Sequence, residues 1–220
     1  MLHSYSRRRS RSMVQASDHS DKTHVLIVAA GIGSRAGLEL PKQFESIAGK
    51  AMVRHSVESF SSHAAIDQIW IVIAEGQEEQ LDKALGSDSR HQIVIGGATR
   101  QQSVFNGLTA IRNAGGAKNI LVHDAARPFV SHPVIDRLID RLGSAAAAIP
   151  ALPCVDTMVQ ISDNQLYQTV DRDSLWRVQT PQAFDFAKLL AAHERFPADE
   201  NASDDAQIFR AAGHAVTVVD

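Results

Sequence analysis

The residues best suited to chemistry lie in one glycine-rich segment, residues 25–43, which reads VLIVAAGIGSRAGLELPKQ. Its first four residues are apolar and mostly β-branched, which predicts a strand buried on both faces. The small residues that follow leave backbone N–H groups open to an anionic ligand, and two cations, Arg35 and Lys42, come next. A triphosphate requires such a backbone cradle followed by charge neutralisation. The segment therefore predicts a loop that binds a nucleoside triphosphate.

A dinucleotide-binding loop is the main alternative. Gly31, Gly33 and Ala36 match the G-x-G-x-x-G/A fingerprint after a strand. That fingerprint requires a helix running on directly from the loop, which Pro41 interrupts. The acidic residue expected about twenty positions later is replaced by the sequence AMVRH at residues 51–55. The triphosphate loop is therefore favoured over a dinucleotide loop and over a plain structural turn.

A carboxylate follows another predicted strand, in the sequence HDAARP at residues 123–128. Because Mg²⁺ prefers one or two carboxylates together with substrate phosphate oxygens, Asp124 is a candidate metal ligand. Arg127 is predicted to pair with Asp124 or to bind a second anion, and a purely structural Asp–Arg pair is the alternative. His123 is predicted to be a packing or hydrogen-bonding residue.

Two further segments carry open alternatives. Paired glycines and small polar residues at 96–103, GGATRQQS, suit close approach to a planar base, but a turn with a helix cap explains them equally well.

Residues 155–180 are predicted to leave the sheet as an arm, with a hairpin turning at Asp163 and Asn164. A lone hairpin is marginally stable, so it should pack on something, and a second subunit is one option. Arg172 is either part of a local charge network or an anion ligand.

The elements that position these residues alternate between strands and helices. Strands are predicted at 25–28, 69–73, 91–95 and 119–122, and helices at 51–60, 78–85, from about 102, and at 184–194. This order predicts an α/β fold with a mostly parallel twisted sheet and helices on both faces. Ligands bind such sheets at the carboxyl ends of the strands, where the glycine-rich segment and Asp124 both lie.

Size and composition fit one globular domain. The chain has 220 residues, a net charge of −3 and one cysteine, Cys154. This charge argues against a nucleic-acid binder, and one cysteine excludes a disulfide framework or a zinc ribbon. No apolar run approaches the length of a membrane span, so a cytoplasmic enzyme or binding protein is expected. Residues 1–22 are basic, serine-rich and predicted to be disordered, the alternatives being a transit peptide, a nucleic-acid arm or an over-long start before Met13.

The motifs in chain order are AAGIGSR, PKQF, GGATRQQSV, HDAARPFV, DTMVQ, TVDRDSLWRVQTPQAF and SDDA. Together they resemble the 2-C-methyl-D-erythritol 4-phosphate cytidylyltransferases of the non-mevalonate isoprenoid route, over about residues 24–220. The resemblance implies a Rossmann-like nucleotidyltransferase fold, CTP and methylerythritol phosphate as substrates, Mg²⁺, and a homodimer with an exchanged β-arm. It implies no nucleic-acid or membrane partner.

The resemblance also implies roles for individual residues. Ala29, Ala30, Gly31 and Gly33 would cradle CTP, Gly97 and Ser103 would lie near the cytosine, and Asp124 would hold the metal. Arg35 and Lys42 match the pair that stabilises the transition state. The methylerythritol phosphate would be placed by Arg127, Thr157, Thr180, Ser203 and Arg172, the last expected to come from the partner's arm.

Two departures qualify the resemblance. Ala98 stands where some members carry an aspartate, which removes one base or ribose contact. The family continues into a Lys-x-Thr-x-Pro-x-Asp segment whose lysine also positions the substrate, and the sequence ends at Asp220. The stretches at 34–37 and 203–206 are most similar to bifunctional members fused to a 2,4-cyclodiphosphate synthase. A sugar-phosphate nucleotidyltransferase of other specificity and a non-catalytic nucleotide sensor are the remaining alternatives.

Overall fold

A computed structural model describes residues 21–31, 41–86, 91–197, 200 and 202–220 of the chain. Short 3-10 helices lie at Lys42–Phe44 and Arg172–Ser174. The strands and α-helices, in chain order, are β1 (Thr23–Val28), β2 (Ser46–Ile47), β3 (Lys50–Ala51), α1 (Met52–Ser61), β4 (Gln68–Ile73), α2 (Glu78–Leu85), β5 (His91–Ile95), α3 (Arg100–Asn113), β6 (Asn119–Asp124), α4 (His132–Leu142), β7 (Ala147–Pro153), β8 (Met158–Ser162), β9 (Gln165–Val170), β10 (Trp176–Val178), β11 (Gln182–Asp185), α5 (Phe186–Arg195), α6 (Asp205–Ala211) and β12 (Thr217–Val219).

The central sheet is built around β1, as its continuous apolar sequence predicts. The strand order is β10-β7-β11-β6-β1-β4-β5, and β12 pairs with β7. The pairs β1–β4, β1–β6, β4–β5 and β12–β7 are parallel, whereas β11 and β10 are antiparallel to their neighbours. The α/β class and the mostly parallel sheet are confirmed. The chain leaves β1 toward β4 on one side and returns to β6 on the other, which makes the β1–β6 gap a topological switch point.

Helices cover both faces of the sheet. Successive side chains of β1 point to opposite faces, so they pack against different groups of helices. Val25 and Ile27 belong to the apolar cluster formed with α1, α2 and α4. Leu26 belongs to the second cluster, formed with α3, α5 and α6. All three side chains are fully buried. This double burial explains why the strand sequence is a run of apolar residues without alternation.

The helix predicted at residues 184–194 was placed too early. Phe184 and Asp185 belong to β11, which pairs with β6 on one side and β7 on the other. The helix α5 begins at Phe186, and the Asp185 side chain caps it by accepting the backbone N–H of Lys188 at 3.0 Å. The helix expected from about residue 102 begins at Arg100. The sequence did not single out α4, β7 or α6.

The arm is a hairpin of β8 and β9 that forms its own two-stranded sheet. Ser162 pairs with Gln165, and the two residues between them, Asp163 and Asn164, have φ values of 49° and 60°. Such left-handed residues are what a two-residue hairpin turn requires, so the predicted turn is confirmed. The side chains along both strands are exposed in the single chain.

The N-terminal extension lies outside the described residues except for its last two. Asp21 forms an ion pair with Lys118 at 3.3 Å, and the Lys22 carbonyl accepts the backbone N–H of Lys118 at 2.8 Å. Within the described part of the chain, every helix is too short or too polar to cross a bilayer.

Candidate functional site

A cavity of about 730 Å³ opens at the carboxyl ends of the parallel strands, above the switch point between β1 and β6. The residues after β1 form one wall, and Asp124 at the end of the neighbouring strand β6 lies beside them, as the register partner of Val28. The loop between β5 and α3 forms a third wall. The lining residues that were predicted to act in the site are Ala29, Ala30, Gly31, Lys42, Gly97, Ser103 and Asp124.

The backbone after β1 is held in place by a buried glutamine. The side-chain amide of Gln43 donates to the carbonyls of Ala29 at 2.6 Å and of Gly31 at 2.9 Å. The Ala29 N–H donates to Val72 on β4 at 2.7 Å. Lys42, the residue before Gln43, lines the cavity from the 3-10 helix. Gly33 and Arg35 lie outside the described residues.

The loop between β5 and α3 contains the helix cap that was one of the two interpretations left open by the sequence. Thr99 caps α3 by accepting the N–H of Gln102 at 3.0 Å. The Ser103 hydroxyl accepts the N–H of Gly97 at 3.1 Å, which folds the loop back on the helix. A Cβ on Gly97 would stand 2.0 Å from Cγ of Gln102, so only glycine fits there. The helix cap is confirmed, and the tight loop leaves Gly97 and Ala98 facing the cavity.

Arg100 joins two carboxylates at the cavity wall. Its Nε donates to Oδ1 of Asp124 at 3.0 Å, and its Nη2 lies 2.9 Å from Oδ2 of Asp205. Asp205 is fully buried at the start of α6 and its Oδ1 lies 3.0 Å from Nε2 of His193. Burial alone would raise the pKa of Asp205, but the charge of Arg100 and the hydrogen bond from His193 lower it to about 2. Its neighbours therefore favour the ionised form of Asp205 despite its burial.

This arrangement corrects the predicted pairing of Asp124 with Arg127. The partner of Asp124 is Arg100, whereas the guanidinium of Arg127 donates to Oε1 of Gln179. Arg127 contacts Asp124 only through its backbone, whose N–H donates to the Asp124 carbonyl at 2.9 Å. The side chain of Arg127 instead lines a second cavity of about 370 Å³, together with Gln179 and Thr180.

His123 connects this second cavity with the first. Its Nε2 lies 3.0 Å from the carbonyl of Arg127, which can only accept, so Nε2 carries the proton. Nδ1 then accepts the hydroxyl of Thr180 at 3.0 Å, and the Thr180 oxygen accepts the N–H of Asp124 at 3.3 Å. His123 is fully buried, and this burial lowers its pKa to about 4. The prediction that it is a hydrogen-bonding residue is confirmed.

The remaining predicted substrate residues lie away from the first cavity. Thr157 and Arg172 belong to the arm and do not line that cavity in the described single chain. Nη1 of Arg172 donates to the carbonyl of Val155 at 2.7 Å, within the same arm. Ser203 lies in the exposed turn before α6, where its N–H donates to Oε1 of Gln207 at 3.0 Å.

The donor set of the first cavity fits a magnesium ion that is held mainly by substrate. The described residues contain no group of three or more His, Cys, Asp or Glu side chains placed to hold a metal ion. The carboxylate of Asp124 is partly exposed, and within the described residues its Oδ2 makes no hydrogen bond. One carboxylate oxygen without a described hydrogen bond, beside this cavity, suits a divalent cation such as Mg²⁺, which takes its other ligands from phosphate and water.

Comparison with known proteins agrees with this geometry. Residues 23–220 match the family model of 2-C-methyl-D-erythritol 4-phosphate cytidylyltransferase. The chain belongs to this cytidylyltransferase family. A protein of that name from Cereibacter sphaeroides is 38% identical over 199 residues, covering 90% of this chain and 87% of the relative. The crystal structure of the cytidylyltransferase from Thermus thermophilus superposes with a TM-score of 0.74 at 33% identity, covering 90% of this chain and 88% of that one.

Other relatives are longer. The bifunctional enzyme IspD/IspF of Rhizorhabdus wittichii is 46% identical over 195 residues, which cover 89% of this chain and 50% of the relative. The chain thus spans about half the length of these curated relatives. The family is that of nucleotidyltransferases in isoprenoid precursor synthesis, and the central sheet is the one shared by its solved structures.

Three residues of the site were missed by sequence reasoning. Gln43 follows the predicted cation Lys42 directly, and its role is visible only in the structure, where it is buried and bonds the carbonyls of Ala29 and Gly31. Arg100 was part of the GGATRQQSV motif but received no function, because both of its carboxylate partners are far away in sequence. Asp205 was part of the SDDA motif, where a helix N-terminus explains an aspartate equally well.

Proposed function

We propose that the chain transfers CMP from CTP to 2-C-methyl-D-erythritol 4-phosphate in the cytidylyltransferase family to which it belongs. The products would be 4-diphosphocytidyl-2-C-methyl-D-erythritol and pyrophosphate. The observation that carries the proposal is the cavity of about 730 Å³ at the switch point, which is lined by a tight small-residue backbone, Lys42 and Asp124. A cation and a carboxylate that line the same cavity favour transfer chemistry over a nucleotide sensor.

The chemistry requires charge stabilisation and positioning. A phosphate oxygen of methylerythritol phosphate attacks the α-phosphorus of CTP, and the bond to the β-phosphate breaks to release pyrophosphate. The attacking phosphate is ionised at neutral pH, so no general base is needed. Lys42 and Arg35 are the residues proposed to stabilise the charge that develops on the phosphate oxygens. The buried His123 has no part in proton transfer in this proposal.

The remaining site residues divide between the two substrates. The backbone around Gly31 and Gly33 would bind the triphosphate, and the tight loop around Gly97 would meet the base. The second cavity, next to the first and lined by Arg127 and Thr180, suits the methylerythritol phosphate, because the guanidinium of Arg127 bonds the neutral amide of Gln179 and forms no ion pair with a described carboxylate. The full proposed sets are Ala29, Ala30, Gly31, Gly33, Gly97 and Ser103 for CTP, and Arg127, Thr157, Thr180, Ser203 and Arg172 for the second substrate.

A divalent cation, proposed to be Mg²⁺, would be held by Asp124 and by phosphate oxygens of CTP. When bound it would neutralise charge on the triphosphate and on the leaving pyrophosphate. Asp124 supplies one carboxylate oxygen from a fixed position, because its Oδ1 is held by Arg100 and its backbone by Thr180 and Arg127.

We further propose that the active form is a homodimer joined through the arm. The hairpin exposes large apolar side chains, and Val155, Ile161, Leu166 and Tyr167 are each more than half exposed in the single chain. A monomeric protein rarely leaves such a cluster uncovered. A partner would cover this surface and would allow Arg172 to reach the other subunit's site. A cytoplasmic location belongs to the same proposal, since the reaction consumes CTP.

A second candidate, supported by the similarity to the bifunctional relatives, is that the same activity forms one half of a larger enzyme. The other half would be a 2,4-cyclodiphosphate synthase. Both candidates assign the same reaction to residues 23–220.

Pyrophosphate release from CTP, UTP, ATP and GTP, each with and without methylerythritol 4-phosphate, tests the proposal. We expect release only with both CTP and the acceptor, and only with a divalent cation. Equal turnover with UTP or ATP would contradict the base assignment at Gly97 and Ser103. Release without the acceptor would indicate a nucleotide hydrolase instead.

A further inference from the structure

Two carboxylates contact the guanidinium of Arg100 at different nitrogen atoms. Nε donates to Asp124 on β6, and Nη2 lies against Asp205 on α6. An unrestrained guanidinium beside a carboxylate favours two parallel N–H···O bonds to both oxygens. Among the residues that the structure describes, Arg100 bonds only Oδ1 of Asp124, and its Nη2 is turned toward Asp205, 2.9 Å from Oδ2, in an ion pair without hydrogen-bond alignment. Asp124 therefore keeps Oδ2 for another ligand.

The charges support the same conclusion. One guanidinium faces two carboxylates, so it leaves one negative charge uncompensated within these three side chains. Asp205 is fully buried, whereas 32% of the Asp124 side chain is exposed, at the cavity wall. Asp205 has a second neighbour in His193 at 3.0 Å, whereas Asp124 lines the cavity, so a cation that enters the cavity meets Asp124. A cation is the ligand that this arrangement accepts.

Stability alone does not account for this buried ion pair. Removing two charges from water costs about as much as their attraction returns, and apolar residues of similar volume stabilise equally well or better. The fold could therefore have placed an apolar contact between α3 and α6. The ion pair keeps Arg100 in one orientation next to Asp124, which an apolar contact would not do.

We propose that Asp205 is a positioning residue for the divalent cation: it restrains Arg100 so that Asp124 retains one free carboxylate oxygen for the metal. This inference rests on the proposed function, in which Asp124 binds the metal together with CTP. When Asp205 loses its charge, Arg100 is free to engage both oxygens of Asp124. Metal affinity then falls although neither Asp124 nor the nucleotide contacts have been changed.

Titration with Mn²⁺ in the presence of CTP and without the acceptor measures this directly, with free Mn²⁺ quantified by electron paramagnetic resonance. We expect Asp205→Asn to raise the Mn²⁺ dissociation constant by about 10-fold or more, the usual effect of losing a partner of a metal ligand. The matched control is Asp204→Asn, which removes the neighbouring charge in the same helix start but contacts Gln182 and Gln207 instead of Arg100. Its dissociation constant should stay within about twofold of that of the wild type.

The double variant Arg100→Met/Asp205→Asn distinguishes two roles of Asp205, restraining Arg100 and stabilising the fold. Without Arg100 there is nothing to restrain, so its Mn²⁺ affinity should return to that of the wild type or exceed it. This variant also leaves no buried charge unpaired, so it should fold even if Asp205→Asn does not, and a loss of Mn²⁺ affinity in it can then still contradict the inference. A double variant that binds Mn²⁺ about 10-fold more weakly than the wild type would overturn the inference, as would wild-type affinity in a folded Asp205→Asn. If the wild type itself shows no CTP-dependent Mn²⁺ binding, the proposed metal site fails instead.

Discussion

Lys42 enters the cavity directly after Pro41, at the start of a 3-10 helix whose next residue, Gln43, is buried against the backbone of Ala29 and Gly31. Its neighbour in sequence is thus held by the contacts that also hold the backbone after β1. A cation in this place can act on oxygens that gain charge during the reaction, and such contacts contribute more in the transition state than in the ground state.

Lys42→Ala is therefore expected to lower kcat strongly and to change nucleotide affinity little. Removing a comparable electrostatic donor costs about 10²–10³ in kcat. Steady-state kinetics of pyrophosphate release, with CTP varied, measures both quantities. Lys50→Ala is the matched control, since Lys50 is exposed and pairs with Glu58 away from the cavity. A variant that raised KM alone would show that Lys42 binds the ground state equally well.

His123 leads to a prediction about stability at acidic pH. In the unfolded chain it takes up a proton below its ordinary pKa of about 6.5, but the folded protein binds that proton only below about 4. Between these values the unfolded state binds more protons, so the free energy of unfolding falls as the pH drops from 6.5 to 4. The fall due to this one group is about 3 kcal/mol at most.

The variant His123→Gln lacks this titration and should show a shallower loss of stability over the same pH range. Urea unfolding of the wild type and the variant at about pH 7 and about pH 4.5 measures the difference. We expect the variant to be clearly less stable at neutral pH, with the gap narrowing at the acidic pH. A gap of constant size would mean that His123 binds its proton equally in both states.

At the scale of elements, the sequence predicted the interior of the sheet better than its periphery. The central strands are buried on both faces, so their apolar runs identify them without knowledge of their neighbours. The strand β11 could not be recognised in this way, because it is short and is defined by pairing with β6 and β7. The residues of the candidate site show the same difference between local and long-range signals. Lys42 and Asp124 were found next to recognisable strands, whereas Arg100 and Asp205 acquire their role only through contact with each other.

The packing of α3 on β1 depends on Gly107. A Cβ there would stand 2.5 Å from Cδ1 and 2.7 Å from Cδ2 of the buried Leu26. Alanine gains about 1 kcal/mol of helix propensity over glycine, but overpacking a core costs about 1–3 kcal/mol. Gly107→Ala should therefore lower the free energy of unfolding, as measured by urea titration.

The double variant Leu26→Val/Gly107→Ala tests whether the loss of stability comes from the steric conflict with Leu26. Shortening Leu26 removes the atoms that the new methyl group meets, so the double variant should be more stable than the sum of the two single effects. Additive losses would show that Gly107 is needed for another reason.

At the scale of the whole molecule, the arm is the feature that a single chain does not explain. Its apolar side chains are exposed, and Arg172 contacts only its own arm in the described residues. Both observations are expected if the arm crosses to a second subunit. In that case each active site combines Lys42 of one chain with Arg172 of the other, and activity requires the dimer.

Mixing two inactive variants, Arg172→Ala and Lys42→Ala, tests this arrangement. Random exchange between equal amounts makes half of the dimers mixed, and each mixed dimer has one site with both wild-type residues, so the mixture should regain about one quarter of the wild-type activity. The control mixture, Lys42→Ala with Asp124→Asn, should regain none, because those two residues serve the same subunit and every mixed site lacks one of them. Native mass spectrometry of differently tagged chains establishes that exchange has occurred. If mixed dimers form and the first mixture stays as inactive as the control, Arg172 serves its own subunit and the arm is a dimer contact alone.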